Sequence, residues 1–288
     1  MFLSRIIRWY KDFNELIMFQ HSIFSLPFIF IAMVVSADGW FGWKLLFLGV
    51  LAAVSARNFA MLVNRYIDRD IDAKNPRTKS RPSVDGRFCK KQLLILIVVN
   101  GLFFIIVSKF INDLAFWLSF PILLILGGYS WFKRFSEMSH LVLGLSLGLA
   151  PIAGAVAVEG AIPMWSIMLG VGVMFWVAGF DLLYSLQDME FDKKEGLYSI
   201  PARYGSKATM FLAKIFHTEA LLFWIFFVAI AKLGFFGWLA ILVSTGMLFY
   251  EHYIVNKDFS KIDRAFFTVN GYLGFAFLIL IVVDKVIK

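Results

Sequence analysis

The sequence predicts an all-α integral membrane protein: nine transmembrane helices around a central cavity, forming two four-helix bundles related by an internal repeat plus one extra helix. Three observations lead there. Hydrophobic residues make up 60% of the 288 and charged residues only 17%, with a mean hydropathy of +0.77. An average soluble domain is ~45–50% apolar and ~25% charged, so an ordinary core cannot hide this much apolar surface. The apolar residues run in continuous blocks, each about the ~20 residues a spanning helix needs. They do not alternate, which excludes a transmembrane barrel, the other structure that satisfies its backbone in lipid. Two acidic segments also resemble each other at an offset of 120 residues. The same composition excludes a disordered chain and a typical soluble enzyme. The lone cysteine, Cys89, excludes an intramolecular disulfide framework and sits in a basic stretch without metal-ligating neighbours.

Taken in order, the expected spans are 17–37, 41–63, 93–110, 114–132, 141–158, 163–187, 210–231, 235–254 and 266–284. The first is long and followed by more of its kind, so it reads as a span and not a cleavable signal. Orientation follows from Lys and Arg. Twenty-two of them fall at the N-terminus and in the loops after the second, fourth, sixth and eighth spans, against five on the other side, with Arg57 alone inside the second span. The split puts the N-terminus in the cytoplasm and the C-terminus outside. The net charge of +8 is then a topology signal and not a nucleic-acid surface. No Pro-, Gly- or Ser-rich linker and no low-complexity stretch divides the chain, so residues 1–288 form one membrane domain. The long polar loops, about 64–92 and 188–209, lie on the cytoplasmic side, and both carry carboxylates.

At the cytoplasmic end of the second span stands Asn64-Arg-Tyr-Ile-Asp68-Arg-Asp70-Ile-Asp72. Positions 64, 68 and 72 are four apart and share one helix face. An amide oxygen and two carboxylates on one face suit Mg²⁺, which takes a few carboxylates and completes its shell with waters and phosphate oxygens. The bland alternative is a solvated helix end. At the end of the sixth span, Asp181-Leu-Leu-Tyr184-Ser-Leu-Gln-Asp188-Met-Glu-Phe-Asp192 places Asp181, Tyr184, Asp188 and Asp192 on one stripe of a helix. Asp181 lies deepest in apolar sequence, where an ionisable residue marks a functional site unless it makes a structural helix–helix bond. Asn64, Asp68 and Asp72 correspond to Tyr184, Asp188 and Asp192, and a repeat interface is where membrane proteins often place a site.

Cations converge on the same membrane face: Arg77, Lys79 and Arg81 follow the first motif, and Tyr129-Ser-Trp-Phe-Lys133-Arg134 ends the fourth span. Two Mg²⁺ bridging a diphosphate, with Lys and Arg on the remaining oxygens, would explain carboxylates and cations together. Arg57, two turns deeper than Asn64, either pairs with Asp181 or receives a substrate carboxylate or phosphate. The histidines at 21, 140, 217 and 252 show no metal-ligand spacing, and His21 reads as a helix-interface residue.

On these motifs the chain resembles the UbiA superfamily of intramembrane aromatic prenyltransferases over nearly its whole length. Asn64-x-x-x-Asp68-x-x-x-Asp72 is similar to the first aspartate-rich motif of that family, Asp188-x-x-x-Asp192 to the second, and Tyr129-x-x-x-Lys133 to a third element. The stretches 19–28 and 72–78 are similar to the 4-hydroxybenzoate polyprenyltransferase group, including a subgroup that serves menaquinone synthesis from a naphthoate. Arg65 departs from the acidic residue many members carry there, and the 65–72 segment also resembles haem O synthase. The resemblance implies two Mg²⁺ held by Asn64, Asp68, Asp72, Asp188 and Asp192, binding a polyprenyl diphosphate with help from Lys133 and nearby arginines. It further implies alkylation of an aromatic acid, 4-hydroxybenzoate, for respiratory quinone synthesis, in a bacterial inner membrane with the site facing the cytoplasm. For the carboxylated phenol so implied the available cations are Arg57 and Arg134, with Arg134 favoured because Asp181 can occupy Arg57. Alternative acceptors are a (di)hydroxynaphthoate and haem. The resemblance calls for lipid around the helices and for no obligate protein partner. A secondary transporter is the rival from another class, but transport sites sit near mid-membrane on broken helices. A non-catalytic lipid-binding protein would not need two matched sets of hard-metal ligands.

Overall fold

A computed structural model describes residues 2–19 and 24–287; His21 lies outside the described residues. Helix α1 (Phe2–Ile17) exposes Ile6, Ile7, Trp9 and Tyr10 beside Arg5, Arg8 and Lys11, the make-up of a helix lying in a membrane interface. Its other face buries Leu16 and Ile17 against Leu62, Phe88 and Leu93. Arg87 fastens it through Asp12 (2.9 Å) and Glu15 (2.6 Å). Met18 takes a left-handed φ of 48° and ends the helix. The span expected at 17–37 therefore does not begin there: its apolar residues form α2 (Leu26–Ser36), eleven residues long, with Pro27 in the first turn.

The other eight expected spans are present as helices long and apolar enough to cross a bilayer. In order they are α3 (Trp43–Ile67), α5 (Lys90–Ile111), α6 (Asp113–Gly128, continuing as a 3-10 turn over Tyr129–Arg134), α7 (Ser139–Glu159), α8 (Met164–Ser185), α10 (Ile200–Ile230), α11 (Phe235–Lys257) and α13 (Asn270–Val286). The short helices α4 (Arg69–Asp72), α9 (Met189–Glu195) and α12 (Ile262–Arg264) lie in the loops, and a π-turn over Ala265–Val269 leads into α13. The α10 helix is kinked at Gly205, where φ is 78°. Exposed aromatics gather at both ends of the bundle, Trp40, Trp43, Trp117 and Trp238 at one and Trp9, Trp131 and Tyr253 at the other, as two membrane interfaces require. Lys285 near the C-terminus pairs with Asp38 (2.8 Å), and Asp284 accepts from the Gly234 and Gly237 amides, so these turns share one end. Helix α1 and both acidic motifs lie at the other.

Helices α7 and α8 approach closely because both present small residues. A Cβ on Gly144 would sit 2.2 Å from the Met174 carbonyl oxygen, and one on Gly148 2.5 Å from that of Gly170. Backbone cannot yield as a side chain tip does. Gly144→Ala is expected to cost about 1–3 kcal/mol by overpacking and to lower the melting temperature of the solubilised protein. Gly127→Ala meets only the Phe59 ring at 3.7 Å and should not; equal behaviour of the two would refute the packing argument.

Candidate active site

Both acidic motifs are built on the same device. Helix α3 ends at Asp68 (φ −85°, ψ 2°) and gives way to α4; after α8 and a 3-10 turn, Asp188 (φ −99°, ψ 2°) opens α9. Each motif thus bends at its central aspartate. This corrects the expectation of a single continuous helix face for 64, 68 and 72, and likewise for 181, 184, 188 and 192.

The first motif is nearly sealed from solvent. Asp68 Oδ2 accepts from Asn64 Nδ2 (2.7 Å) and pairs with Lys133 Nζ (2.7 Å), while Asp72 Oδ1 pairs with Arg81 Nη1 (2.7 Å). The two carboxylates are 3% and 5% exposed, and the second oxygen of each, Asp68 Oδ1 and Asp72 Oδ2, is buried without a hydrogen-bond partner. Burial pushes the Asp68 carboxyl above the usual range, against the opposing pull of Lys133. An unpartnered buried carboxylate oxygen is costly. Two of them four residues apart fit a hard divalent cation such as Mg²⁺. The Asn64 oxygen is turned to Arg65 Nη1 (3.0 Å).

The second motif is closed by the first motif's own loop. Arg77 Nε donates to Asp188 Oδ1 (3.0 Å), its Nη2 bonds Oδ2, and its Nη1 donates to the Tyr184 hydroxyl (3.2 Å). Asn75 Nδ2 adds a bond to Asp188 Oδ1 (3.0 Å), and Lys74 pairs with Glu195 (2.7 Å). These bonds hold the Arg77 guanidinium above its ordinary pKa despite the lowering effect of burial. Asp192 sits on α9 beside Ser199. Among the described residues no three metal-ligating side chains converge. Asp68, Asp72 and Asp188 are each held by a lysine or an arginine.

Behind the motifs lies a cavity of about 730 Å³. Asn64, Arg65 and Arg81 line it at the motif end, and Ile111, Ala115 and Ile162 at the far end. Most of the wall is aliphatic. Near the motifs Phe24, Phe180, Phe266 and Tyr184 form an aromatic wall, with centroids 4.2 Å apart for Tyr184–Phe266 and 5.1 Å for Phe180–Phe266. Phe266 lies within the π-turn over Ala265–Val269.

Several expected residues find their places here, and some of the placements were not foreseen. Arg57 and Tyr129 line the cavity. Arg57 does not pair with Asp181: its Nη1 and Nη2 donate to the carbonyls of Ile17 (3.0 Å) and Met18 (2.8 Å) at the end of α1. Asp181 lines the cavity too, and its Oδ2 lies within hydrogen-bond distance, 2.7 Å, of His140 Nδ1 on α7. Arg134, favoured above for an acceptor carboxylate, is instead spent on Asp70 (2.7 Å) and the Ile67 carbonyl (2.7 Å), away from the cavity. Lys79 is exposed, while Arg81 takes the inward position. Arg65 and His140 were missed as site residues. For Arg81 a signal existed: 77 and 81 are four apart in a turn-rich loop, and 79 falls between them.

The UbiA prenyltransferase family model matches residues 25–280. The 4-hydroxybenzoate octaprenyltransferase of Herminiimonas arsenicoxydans is 26% identical over 286 residues, covering 99% of this chain and 97% of that protein. The apo structure of a UbiA homolog from Aeropyrum pernix K1 superposes with a TM-score of 0.78 at 29% identity, covering 93% of this chain and 97% of that one. A UbiA homolog from Archaeoglobus fulgidus, bound to DMAPP and Mg²⁺, shares the fold with a TM-score of 0.70 at 18% identity, covering 93% and 99%. The chain belongs to the UbiA prenyltransferase family, a family of membrane enzymes.

Proposed function

We propose that the protein transfers a polyprenyl chain from a prenyl diphosphate to the ring of an aromatic acid, 4-hydroxybenzoate, in respiratory quinone biosynthesis, with Mg²⁺ as cofactor. The observation that carries this reading is the pair of acidic motifs, each holding a carboxylate against a lysine or arginine, at the mouth of a long apolar cavity. Relatives named 4-hydroxybenzoate octaprenyltransferase support the choice of acceptor.

Asp68 and Asp72, with Asn64, are the residues to hold the metal at the first motif, and Asp188 with Asp192 at the second. Bound Mg²⁺ neutralises diphosphate charge and so eases rupture of the allylic carbon–oxygen bond. For that the chain's cations must change partners: Lys133, Arg81 and Arg77 leave their carboxylates and take phosphate oxygens, as charge-assisted donors. The apolar wall from Arg81 to Ile162 accommodates the isoprenoid tail. The aromatic wall at the motif end faces the allylic carbon and stabilises positive charge there through its ring faces while excluding water. Arg57 holds the acceptor carboxylate. Asp181, the one carboxylate lining the cavity among the described residues, takes the ring proton as the carbon–carbon bond forms, and His140 fixes its orientation.

Competition between 4-hydroxybenzoate and a (di)hydroxynaphthoate, with purified protein, Mg²⁺ and a prenyl diphosphate, tests this directly. Preferred prenylation of the naphthoate would move the enzyme to menaquinone synthesis, and farnesylation of haem with neither acid used would remove the carboxylated acceptor. Prenyl-independent solute uptake in vesicles would favour a transporter. We further propose a bacterial inner-membrane location with the motif face cytoplasmic. An alkaline phosphatase fused after Lys288 should be active; activity of a cytoplasmic reporter there would reverse the orientation.

A further inference from the structure

A second hollow, of about 430 Å³, lies between α10 and α11 on the outer wall of the bundle, apart from the cavity above. The contact of His217 Nδ1 with His252 Nε2 (2.9 Å) sets the register of these antiparallel helices. Lys214 therefore stands level with the last turn of α11, at the acidic-motif end, and Leu221 level with Leu248, deeper in the bundle. The lining is divided accordingly. Lys214 and Asn256 are at the membrane-surface end, and Leu221, Leu248 and the exposed Phe249 lie toward the interior.

Part of this polarity has a structural purpose. His217 Nε2 contacts the Trp176 carbonyl (3.3 Å) and ties α10 to α8. That leaves two groups unused: His252 Nδ1 is buried with no hydrogen-bond partner, and no carboxylate lines the hollow or forms an ion pair with Lys214 among the described residues. A cation without a counter-ion above an apolar slot, open to the bundle perimeter, matches a molecule with an anionic head and a hydrocarbon tail. Basic pockets between membrane helices bind acidic headgroups in this way.

We propose that the α10–α11 groove is a specific site for one anionic phospholipid of the leaflet on the motif side. Its phosphate sits on Lys214 and Asn256, with His252 within the same polar pocket, and one acyl chain lies over Leu221 and Phe249. Such a site would couple the enzyme to the charge of its membrane without touching the catalytic residues.

The full chain, delipidated in neutral detergent, is to be titrated with phosphatidylglycerol, phosphatidylcholine and inorganic phosphate, read by native mass spectrometry and by melting temperature. We expect one phosphatidylglycerol retained per chain with a raised melting temperature, and neither effect from phosphatidylcholine. Lys214→Gln should weaken retention about five-fold or more. Leu221→Trp, which fills the slot without changing charge, should also reduce it, while Lys109→Gln on the opposite end should not. Both test variants should melt like the parent when lipid-free and retain prenyl transfer in lipid-free micelles. Equal retention of the two lipids, or no effect of Lys214→Gln, overturns the proposal. So does a shift by inorganic phosphate alone that Leu221→Trp leaves intact, because that result describes a free-anion site.

Discussion

Asp68→Asn is expected to lower prenyl transfer by about three orders of magnitude while leaving a folded protein. The carboxylate is almost wholly buried, with one oxygen on Lys133 and Asn64 and the other, Oδ1, without a partner. If Oδ1 is a metal position, removing the charge removes the ion that neutralises the diphosphate. Metal stabilisation of that kind is worth several kcal/mol, and about 4 kcal/mol corresponds to about 10³ in rate. Asparagine keeps the volume and one acceptor, so the fold survives better than with alanine, which would leave Lys133 facing a void. Asp188→Asn should fall comparably. Lys133→Ala separates the roles of anion and cation. Lys133 pairs with the carboxylate that the proposed metal needs, so its loss should tighten divalent-cation binding while raising KM for the prenyl diphosphate. Binding of Mn²⁺, followed by electron paramagnetic resonance, and steady-state kinetics give the two readouts. A rate insensitive to EDTA, or Mn²⁺ binding unchanged in Asp68→Asn, would sink the metal assignment.

The parts of this molecule that sequence makes legible are those governed by a period or by a count. Eight helices follow from apolar runs of membrane length, and the motif ends of α3 and α8 from charge. What escaped was set by single backbone conformations and by long-range pairing. The left-handed turn at Met18 has no signal of its own in the sequence, although the polar Gln20-His21-Ser22 and Pro27 interrupt the expected first span. The bends at Asp68 and Asp188 are invisible to a helical wheel because the i, i+4 spacing survives them. Arg57 reads as a lone charge in lipid until its partners prove to be main-chain carbonyls from forty residues earlier. His140 and Asp181, forty-one residues apart on α7 and α8, meet only because Gly144 and Gly148 let those helices touch. In each case the missing information is tertiary.

Those carbonyl bonds also lead to the expectation for the acceptor. Arg57→Lys should raise KM for the aromatic acid about 10- to 100-fold and spare that for the prenyl diphosphate. A guanidinium carries five N–H donors. The Ile17 and Met18 carbonyls take one donor from each terminal nitrogen, which leaves one on each and Nε. Arg57 lines the cavity, and under the proposed function these remaining donors are the ones that meet the planar carboxylate. Lysine keeps the charge but has no fork to span both tasks. A hydrogen bond to a charged group contributes about 1.5–3 kcal/mol, which gives the stated range at about tenfold per 1.4 kcal/mol. Arg134→Lys, whose guanidinium is engaged by Asp70 and Ile67 outside the cavity, should leave both constants alone. Because Arg57 also caps α1, a purely structural role would lower the melting temperature and raise both KM values together. A selective rise for the acid, relieved with an uncharged phenol as acceptor, identifies the carboxylate as what Arg57 holds.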